Sequence, residues 1–387
     1  MKISNVRIID ANKDFKGSIV IEEGIVKEVL ENQVLEGEGV LDGKGMCLMP
    51  SFVDMHAHMR EPGFEYKENL ETGLSAALRG GFTQICAMAN TNPVMDSFEK
   101  IKKNLEKARK LELADMIQVS AVTRDFEDES GKTVDFERIR ELTPIFSNDG
   151  KNMANMKAME EALTKSAQLD FVLSCHCEPE TEMTDKYIEA AGRWGGNIHI
   201  CHISKKETLE AIIKGKNKGL SLTCEVTPHH IFGWENPYPV APPLAAKEDV
   251  DALIMGIKDG YIDVCATDHA PHTAEDKKNG MPGISNIEYA FSVYHTVFEG
   301  NGISINRLSE MMSEKPAKIL GLNTGTIDPG KEANLVLADL DREYVIDTNE
   351  FLSKGKNTPF EGCKVKGKIE MTIKRGVVKY DNGQIIR

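Results

Sequence analysis

The chain has 387 residues, 41% of them hydrophobic, and its 47 basic against 61 acidic residues give a formal net charge of −14. This length fits one large domain plus a smaller one, with enough apolar residues for a full core. Such an acidic surface repels nucleic acid and anionic membranes, so neither is expected as a partner.

Segments that would direct the chain into or across a membrane are not evident. The start alternates apolar and polar residues like a strand rather than a signal peptide, and no apolar run is long enough to span a bilayer. The eight cysteines are scattered, and we interpret them as free thiols in a reducing compartment. A cytoplasmic location is therefore expected.

Both ends of the chain are predicted to be β-rich. Short strands at 17–21 and 25–29 flank the turn Glu23-Gly24, and similar strands occur at 333–337 and 371–373. These patterns are typical of hairpins.

The middle of the chain alternates between strands and helices. Strands are predicted at 82–88, 118–122, 171–174, 198–203, 221–226 and 262–267, and helices at 97–110 and 153–167. Repeated βα units over about 250 residues predict a closed parallel (β/α)8 barrel. An open, doubly wound sheet is the alternative, but no Gly-x-Gly-x-x-Gly follows the first strand.

The strongest local motif is His56-Ala57-His58, after an apolar strand. Residues two apart in a strand point the same way, so both imidazoles converge at the carboxyl end, where barrel enzymes build their sites. Two imidazoles at this spacing suit zinc. The motif alone is weak, because ten histidines produce such pairs by chance, and two ordinary strand-end histidines would look the same.

Four further metal-binding candidates follow later apolar runs. They are Asp149, His176, His202 and Asp268. Buried ionised groups without partners cost several kcal/mol, on the order of what a metal site offsets. The pattern therefore predicts a metal centre at the strand ends.

A thiolate metal site is the alternative that the neighbouring cysteines raise. Strand alternation is expected to turn Cys175, Cys177 and Cys201 away from the histidine face. They are interpreted as buried apolar residues.

The other histidines receive structural interpretations. His199 is expected to be a partly polar outer residue, and His295 to be packed in the core from a helix. His229 and His230 follow a strand end and are expected to be structural or to support the site from behind.

Taken together, these residues resemble the amidohydrolase superfamily and, within it, the dihydroorotases of the longer bacterial type. The matching stretches cover nearly the whole chain and are 54–63, 90–93, 148–150, 175–178, 201–204, 227–230, 266–272 and 325–330. The resemblance implies a β-sandwich domain formed by 1–48 and 325–387 and a barrel domain over 49–324.

The resemblance also implies how the ligands are shared between two zinc ions. His56 and His58 hold one ion, His176 and His202 hold the other, and Asp149 bridges them. Asp149 stands where other branches use a carboxylated lysine. Asp268 would contact the first ion and act as general base and acid.

Substrate contacts are implied in the same way. Arg60 lies two residues past His58 and so emerges on the same side, where its guanidinium can clamp a carboxylate. By resemblance, Asn90 and His272 share that carboxylate, and Pro282 and Gly283 line the substrate.

The implied activity is the reversible, zinc-dependent cyclisation of N-carbamoyl-L-aspartate to L-dihydroorotate in pyrimidine biosynthesis. Its substrate is a small anion, so the cations must be local, because the net charge repels it at long range. A homodimer is also expected.

Three positions depart from the family pattern. Ala89 replaces a proline, and Ala241 and Ala245 replace an asparagine and an arginine that would contact substrate and supply charge. These departures leave open another cyclic amidohydrolase, such as an allantoinase or a dihydropyrimidinase. A non-catalytic scaffold is the remaining alternative.

Overall fold

The computed structural model describes residues 1–387. Its strands are β1 Lys2–Ile9, β2 Asp14–Glu22, β3 Ile25–Glu31, β4 Val40–Asp42, β5 Cys47–Pro50, β6 Phe52–Ala57, β7 Phe82–Ala87, β8 Asp115–Gln118, β9 Ile145–Phe146, β10 Val172–Cys175, β11 Asn197–Ile200, β12 Leu222–Val226, β13 Val264–Cys265, β14 Leu335–Val345, β15 Lys364–Lys374, β16 Val377–Asp381 and β17 Gln384–Ile385.

Helices alternate with the central strands. They are α1 Leu70–Arg79, α2 Phe98–Arg109, α3 Phe136–Arg140, α4 Met156–Leu169, α5 Glu180–Trp194, α6 Lys206–Asn217, α7 Pro228–Phe232, α8 Lys247–Lys258, α9 Ala274–Lys278, α10 Ala290–Gly300, α11 Ile305–Ser309 and α12 Lys315–Leu320. No helix is both long and apolar enough to cross a membrane.

Eight parallel strands, β6 to β13, form the barrel. They pair in chain order as a group of three and a group of five. Isolated parallel bridges join the groups, from Ser120 to Phe146 on one side and from Ala57 to His269 on the other. The sheet therefore closes, which confirms the (β/α)8 prediction and excludes the open sheet.

Two apolar layers hold the barrel together. Seventy buried residues form one cluster that includes the helix faces packed on the strands, such as Ile101, Leu105 and Ala108 of α2. A second cluster of eleven joins Val53 of β6 to Ile145 of β9 across the ring, so it fills the interior. The α12 residues in this cluster close the amino end, leaving the carboxyl end open for a site.

Both chain ends form one nine-stranded sheet in the order β17-β16-β15-β14-β5-β1-β2-β3, with β4 beside β1. An antiparallel bridge between Ile25 and Glu332 brings the β3 edge back towards the start of β14. The sheet thus curls around its own core of twelve buried residues, as a β-sandwich does.

Element boundaries differ from prediction mainly in the barrel. The strand predicted at 118–122 runs over Asp115–Gln118 instead, and the strand predicted at 198–203 ends at Ile200. The helix predicted at 97–110 begins at Phe98, where Ser97 caps it by accepting from Lys100 N–H. The domain division at 48 and 325 stays a prediction.

Candidate active site

The predicted ligands meet at the carboxyl end of the barrel. His56 lies on β6 and His58 just after it, while Asp149, His176, His202 and Asp268 follow β9, β10, β11 and β13. All six residues are at most 7% exposed. The backbones of His202 and Asp268 have φ of 34° and 46°, a strained region for non-glycine residues that is common at functional sites.

Asp149 lies at the centre of this cluster. Its Oδ1 is 3.3 Å from His56 Nε2, 3.6 Å from His176 Nδ1 and 3.8 Å from His202 Nε2. Its Oδ2 is 3.5 Å from His58 Nε2. One carboxylate therefore faces both predicted histidine pairs.

The donor set fits metal ions. Three groups have ligand atoms within 4.8 Å of one another, and two of them contain Asp149, namely His56 with His58 and Asp149, and Asp149 with His176 and His202. Asp149 Oδ1, His56 Nε2 and His202 Nδ1 are buried without a hydrogen-bond partner. Native proteins rarely leave such atoms unsatisfied, and imidazole with carboxylate suits zinc. This arrangement could hold metal at two places that share Asp149.

His56 is oriented by Glu225, which the sequence analysis missed. His56 Nδ1 lies 2.7 Å from Glu225 Oε1, and His199 Nε2 lies 3.0 Å from Glu225 Oε2. Burial opposes the charge on this carboxyl, but the two imidazoles hold the pKa of Glu225 down at about 2. An ionised Glu225 accepts a hydrogen bond from His56 Nδ1–H and leaves His56 Nε2 free to bind metal.

Asn90 gives His58 a similar orientation. Asn90 Oδ1 is 2.9 Å from His58 Nδ1, and Asn90 Nδ2 donates to Asp149 Oδ2 at 3.2 Å. The predicted substrate contact thus also lies between two predicted ligands. Its amide fixes which imidazole nitrogen faces the centre.

Asp268 approaches the first histidine pair from the last barrel strand. Its Oδ1 is 3.2 Å from His58 Nε2 and 3.6 Å from His56 Nε2. Burial opposes its charge, yet the neighbouring imidazoles hold the pKa of Asp268 well below its usual range. The carboxylate is therefore ionised at neutral pH.

Asp54 joins the first and last barrel strands beneath these groups. Its carboxyl accepts hydrogen bonds from Thr267 N at 3.0 Å and Thr267 Oγ1 at 2.6 Å, one residue before Asp268. It also accepts from His56 N at 3.2 Å. Burial raises the pKa of Asp54 to about 7. This contact sets the position of the histidine motif relative to Asp268.

A cavity of about 320 Å³ opens above the cluster. It is lined by ten of the eleven predicted site residues, namely His58, Arg60, Asn90, Asp149, His176, His202, Asp268, His272, Pro282 and Gly283, while His56 lies beneath. Larger cavities elsewhere contain no histidine. This cavity is therefore the candidate active site.

Cations line one wall of this cavity. Arg60 Nη2 lies 3.1 Å from His272 Nε2, and Arg60 Nε donates to Pro271 O at 3.2 Å. Burial lowers the pKa of Arg60 to about 10, so the guanidinium stays charged at neutral pH. Lys67 Nζ, which no pattern in the sequence indicated, lies 3.3 Å from His272 Nδ1.

The wall formed by 270–285 is held by a residue from the far end of the chain. Asn357, between β14 and β15, accepts from His272 N at 2.9 Å and donates to Gly283 O at 3.1 Å. It also bonds Ala270 O and Ser285 Oγ. Asn357 therefore holds the backbone around Gly283 and His272 in place.

The interpretation of His199 as an outer residue is wrong. Its side chain is fully buried and bonds Glu225 and Thr223. Cys201 is also not turned away, since its Sγ lies within 4.8 Å of the ligand atoms of His56 and Glu225. Regular alternation was assumed up to 203, but β11 stops at Ile200.

His230, His295, Cys175 and Cys177 lie where expected. His230 bonds Thr227 and Pro242 O, and His295 is packed on α10 beside Phe291. His229 is fully buried, and its Nδ1 lies 3.4 Å from Asn286 Nδ2. All eight cysteines are free, and Cys175 and Cys177 are part of the large apolar cluster.

Comparison with known proteins identifies the family of this chain. Residues 47–379 match the amidohydrolase family model. Dihydroorotase from Clostridium botulinum is 43% identical over 98% of each chain, and dihydroorotase from Caldanaerobacter subterraneus is 35% identical over 99% of this chain and 97% of its own.

Solved structures show the same fold at lower identity. L-hydantoinase (dihydropyrimidinase) from Arthrobacter aurescens superposes with a TM-score of 0.88 at 22% identity, over 100% of this chain and 97% of its own. The dihydropyrimidinase from Brevibacillus agri also superposes with a TM-score of 0.88 at 22% identity, over 100% of this chain and 96% of its own. The barrel, the histidine–aspartate cluster and the full-length sequence matches together place this chain in the amidohydrolase family, among the dihydroorotases.

Proposed function

We propose that this protein is a dihydroorotase that uses two zinc ions bridged by Asp149 to interconvert N-carbamoyl-L-aspartate and L-dihydroorotate in pyrimidine biosynthesis. One observation carries the substrate assignment. Arg60 and His272 stand 3.1 Å apart on the wall of the cavity that Asp268 and Asp149 also line. A ring that is opened at the histidine–aspartate cluster can thus have its carboxylate bound in the same cavity.

Metal binding would involve His56 and His58 at one position and His176 and His202 at the other, with Asp149 shared. When bound, the ions lower the pKa of water towards about 7 and polarise an amide carbonyl. Glu225 and Asn90 support the arrangement, because each accepts from the Nδ1–H of a ligand imidazole.

Asp268 is the proposed general base and acid. In the hydrolytic direction, water oxygen bonds to the ring amide carbon, and the ionised Asp268 accepts the proton that water loses. The carbon–nitrogen bond then breaks, and Asp268 returns that proton to the leaving nitrogen. The reverse steps close the ring and release water.

Arg60 is the proposed carboxylate clamp. Its guanidinium is buried and charged, and a planar guanidinium binds a carboxylate through two parallel hydrogen bonds. This local charge is needed because the whole chain carries −14. Pro282 and Gly283 also line the cavity.

The departures at 241 and 245 differ in consequence. Ala241 lines the cavity, so one donor is absent there, whereas Ala245 does not reach it.

The alternative functions have less support. Dihydropyrimidinase structures share the fold at 22% identity, and this likeness shows the fold alone. Allantoin and dihydrouracil carry no ring carboxylate and give Arg60 no partner. The complete ligand set argues against a scaffold without catalysis.

Location and assembly are also proposals. Eight free cysteines, seven of them buried, support a reducing compartment such as the cytoplasm. A homodimer stays a prediction that sedimentation would decide.

Turnover decides the substrate. Zinc-loaded protein is assayed on L-dihydroorotate, N-carbamoyl-L-aspartate, allantoin and dihydrouracil, beside Asp268→Ala and Arg60→Ala. We expect the first two to react in both directions, a fall in kcat of about 10³-fold for Asp268→Ala, and a rise in KM of at least about tenfold for Arg60→Ala. Turnover of the uncharged rings alone would refute the assignment.

Metal analysis decides the number of ions. We expect two zinc ions per chain after dialysis, and one in His176→Ala. Cys363→Ser is the matched control, because it removes another side chain able to bind zinc, a half-buried thiol that lies away from the cavity. One ion per chain in the unmodified protein would contradict a bridging role for Asp149.

A further inference from the structure

His272 lies between two cations on the cavity wall. Lys67 Nζ is 3.3 Å from its Nδ1, and Arg60 Nη2 is 3.1 Å from its Nε2. Lys67 is 8% exposed and His272 is 4% exposed, so water does not separate these groups from one another. Both ring nitrogens therefore face groups that only donate hydrogen bonds.

The imidazole between these cations is neutral. Burial, followed by the charges of Arg60 and Lys67, lowers the pKa of His272 to about 3. A neutral imidazole has one N–H and one lone pair, so it accepts from only one of the two cations. The N–H of the ring then faces the other cation, which is also a donor. That N–H and that cation therefore have no acceptor between them.

We propose that Lys67 is a positioning residue that donates to His272 Nδ1 and thereby keeps the ring proton on Nε2, where it points with Arg60 at the substrate carboxylate. This inference rests on the proposed function for the identity of the anion. The carboxylate supplies the acceptor that the Arg60–His272 pair lacks.

The opposite tautomer would accept from Arg60 at Nε2 instead, and its Nδ1–H would face the Lys67 ammonium, which also donates. With the proton on Nδ1, the nearest acceptor is Asp276 Oδ2 at 3.7 Å, beyond hydrogen-bond distance. The lone pair of Nε2 would then face the incoming carboxylate and repel it. Lys67 is held beside Nδ1 by Asp276 Oδ1 at 3.5 Å and by the rings of Phe64 and Tyr66.

Kinetics test the consequence for binding. Lys67→Met keeps the length of the side chain without the donor, Lys67→Arg restores a cation, and Lys278→Met removes an exposed lysine of α9, six residues past His272, as a charge control. We expect KM for L-dihydroorotate to rise about tenfold in Lys67→Met, the loss of one hydrogen bond to a charged group, with kcat changed less than about threefold. Lys67→Arg should recover most of the loss. An equal rise of KM in Lys278→Met would show that Lys67 acts only through long-range attraction of the anion, and would overturn the proposal.

Nitrogen chemical shifts test the tautomer directly. Wild type, Lys67→Met and Lys278→Met are labelled with 15N-histidine, and their spectra are compared without substrate. The His272 signals are assigned by their absence in His272→Gln. We expect the tautomer population to move from Nε2–H towards Nδ1–H in Lys67→Met, and to stay in place in Lys278→Met. Unchanged His272 shifts in Lys67→Met would overturn the proposal. Because this comparison uses no substrate, it is independent of the turnover assay, in which failure on both carboxylate substrates would refute the proposed function instead.

Discussion

Removing the charge of Glu225 should separate its two roles, as a hydrogen-bond acceptor for buried N–H groups and as a negative charge behind the predicted metal ligand His56. Glu225 accepts from His56 Nδ1 at 2.7 Å and from His199 Nε2 at 3.0 Å, and His199 Nδ1 lies 2.8 Å from Thr223 Oγ1. In Glu225→Gln, the amide oxygen still accepts from His56. The amide N–H₂ then donates to His199, whose Nδ1–H turns to the Thr223 hydroxyl. All partners stay satisfied, but the negative charge is lost.

Glu225→Ala and Glu225→Gln should therefore differ in how much they lower the free energy of unfolding. Glu225→Ala leaves three buried N–H groups without acceptors, those of His56 Nδ1, His199 Nε2 and the His202 backbone, at about 1–3 kcal/mol each, so the free energy of unfolding should fall by about 3–9 kcal/mol. Glu225→Gln should cost about 1 kcal/mol or less. Both variants should bind zinc more weakly by about 10–100-fold, the usual effect of losing a partner behind a metal ligand.

Two measurements check this. Urea unfolding of the metal-free variants gives stability, and competition with a chromophoric chelator gives the zinc Kd. Glu225→Asp, which keeps the charge but shortens the side chain, serves as control for reach. Wild-type zinc affinity in Glu225→Gln, or equal destabilisation by Gln and Ala, would refute the reasoning.

Three further expectations concern the cavity wall and one buried acid. Asn357→Ala removes the bonds to His272 N and Gly283 O, so steady-state KM for L-dihydroorotate should rise about tenfold with little change in kcat; a fall in kcat alone would contradict this. Ala241→Asn returns a donor to the cavity and should lower KM severalfold, whereas an unchanged KM would show that no donor is needed there. Burial raises the pKa of Glu288 from 4.5 to about 7, so its penalty is absent below pH 4.5, grows up to pH 7 and stays above it. The stability of Glu288→Gln relative to wild type should therefore rise by up to about 3 kcal/mol between about pH 5 and pH 8 in urea unfolding, and parallel pH profiles would exclude this.

Local pattern predicted the part of the site that lies on strands. The histidine motif, Asp149 and Asp268 each follow an apolar run, and parallel strands bring their carboxyl ends to one rim. Spacing along the chain was therefore enough to gather these side chains, although their roles stay predictions.

Residues that support the site from loops or behind strands could not be found in this way. Lys67 and Asn357 lie in segments without periodicity, and only the folded chain brings them to His272. Glu225 did leave a signal, an acid within the apolar strand Leu222–Val226, which requires buried partners. His199 was misplaced because alternation holds only while a strand stays regular.

The segment carrying Asn357 links the terminal sheet to the wall of the barrel cavity. A barrel cut free of its terminal strands would keep every histidine and carboxylate of the cluster but lose the anchor of the wall that holds His272. A truncation that preserves only the histidine–aspartate cluster is therefore not expected to preserve this wall. The shape of the cavity thus depends on the C-terminal part of the chain as well as on the barrel, because Asn357 lies 85 residues beyond His272.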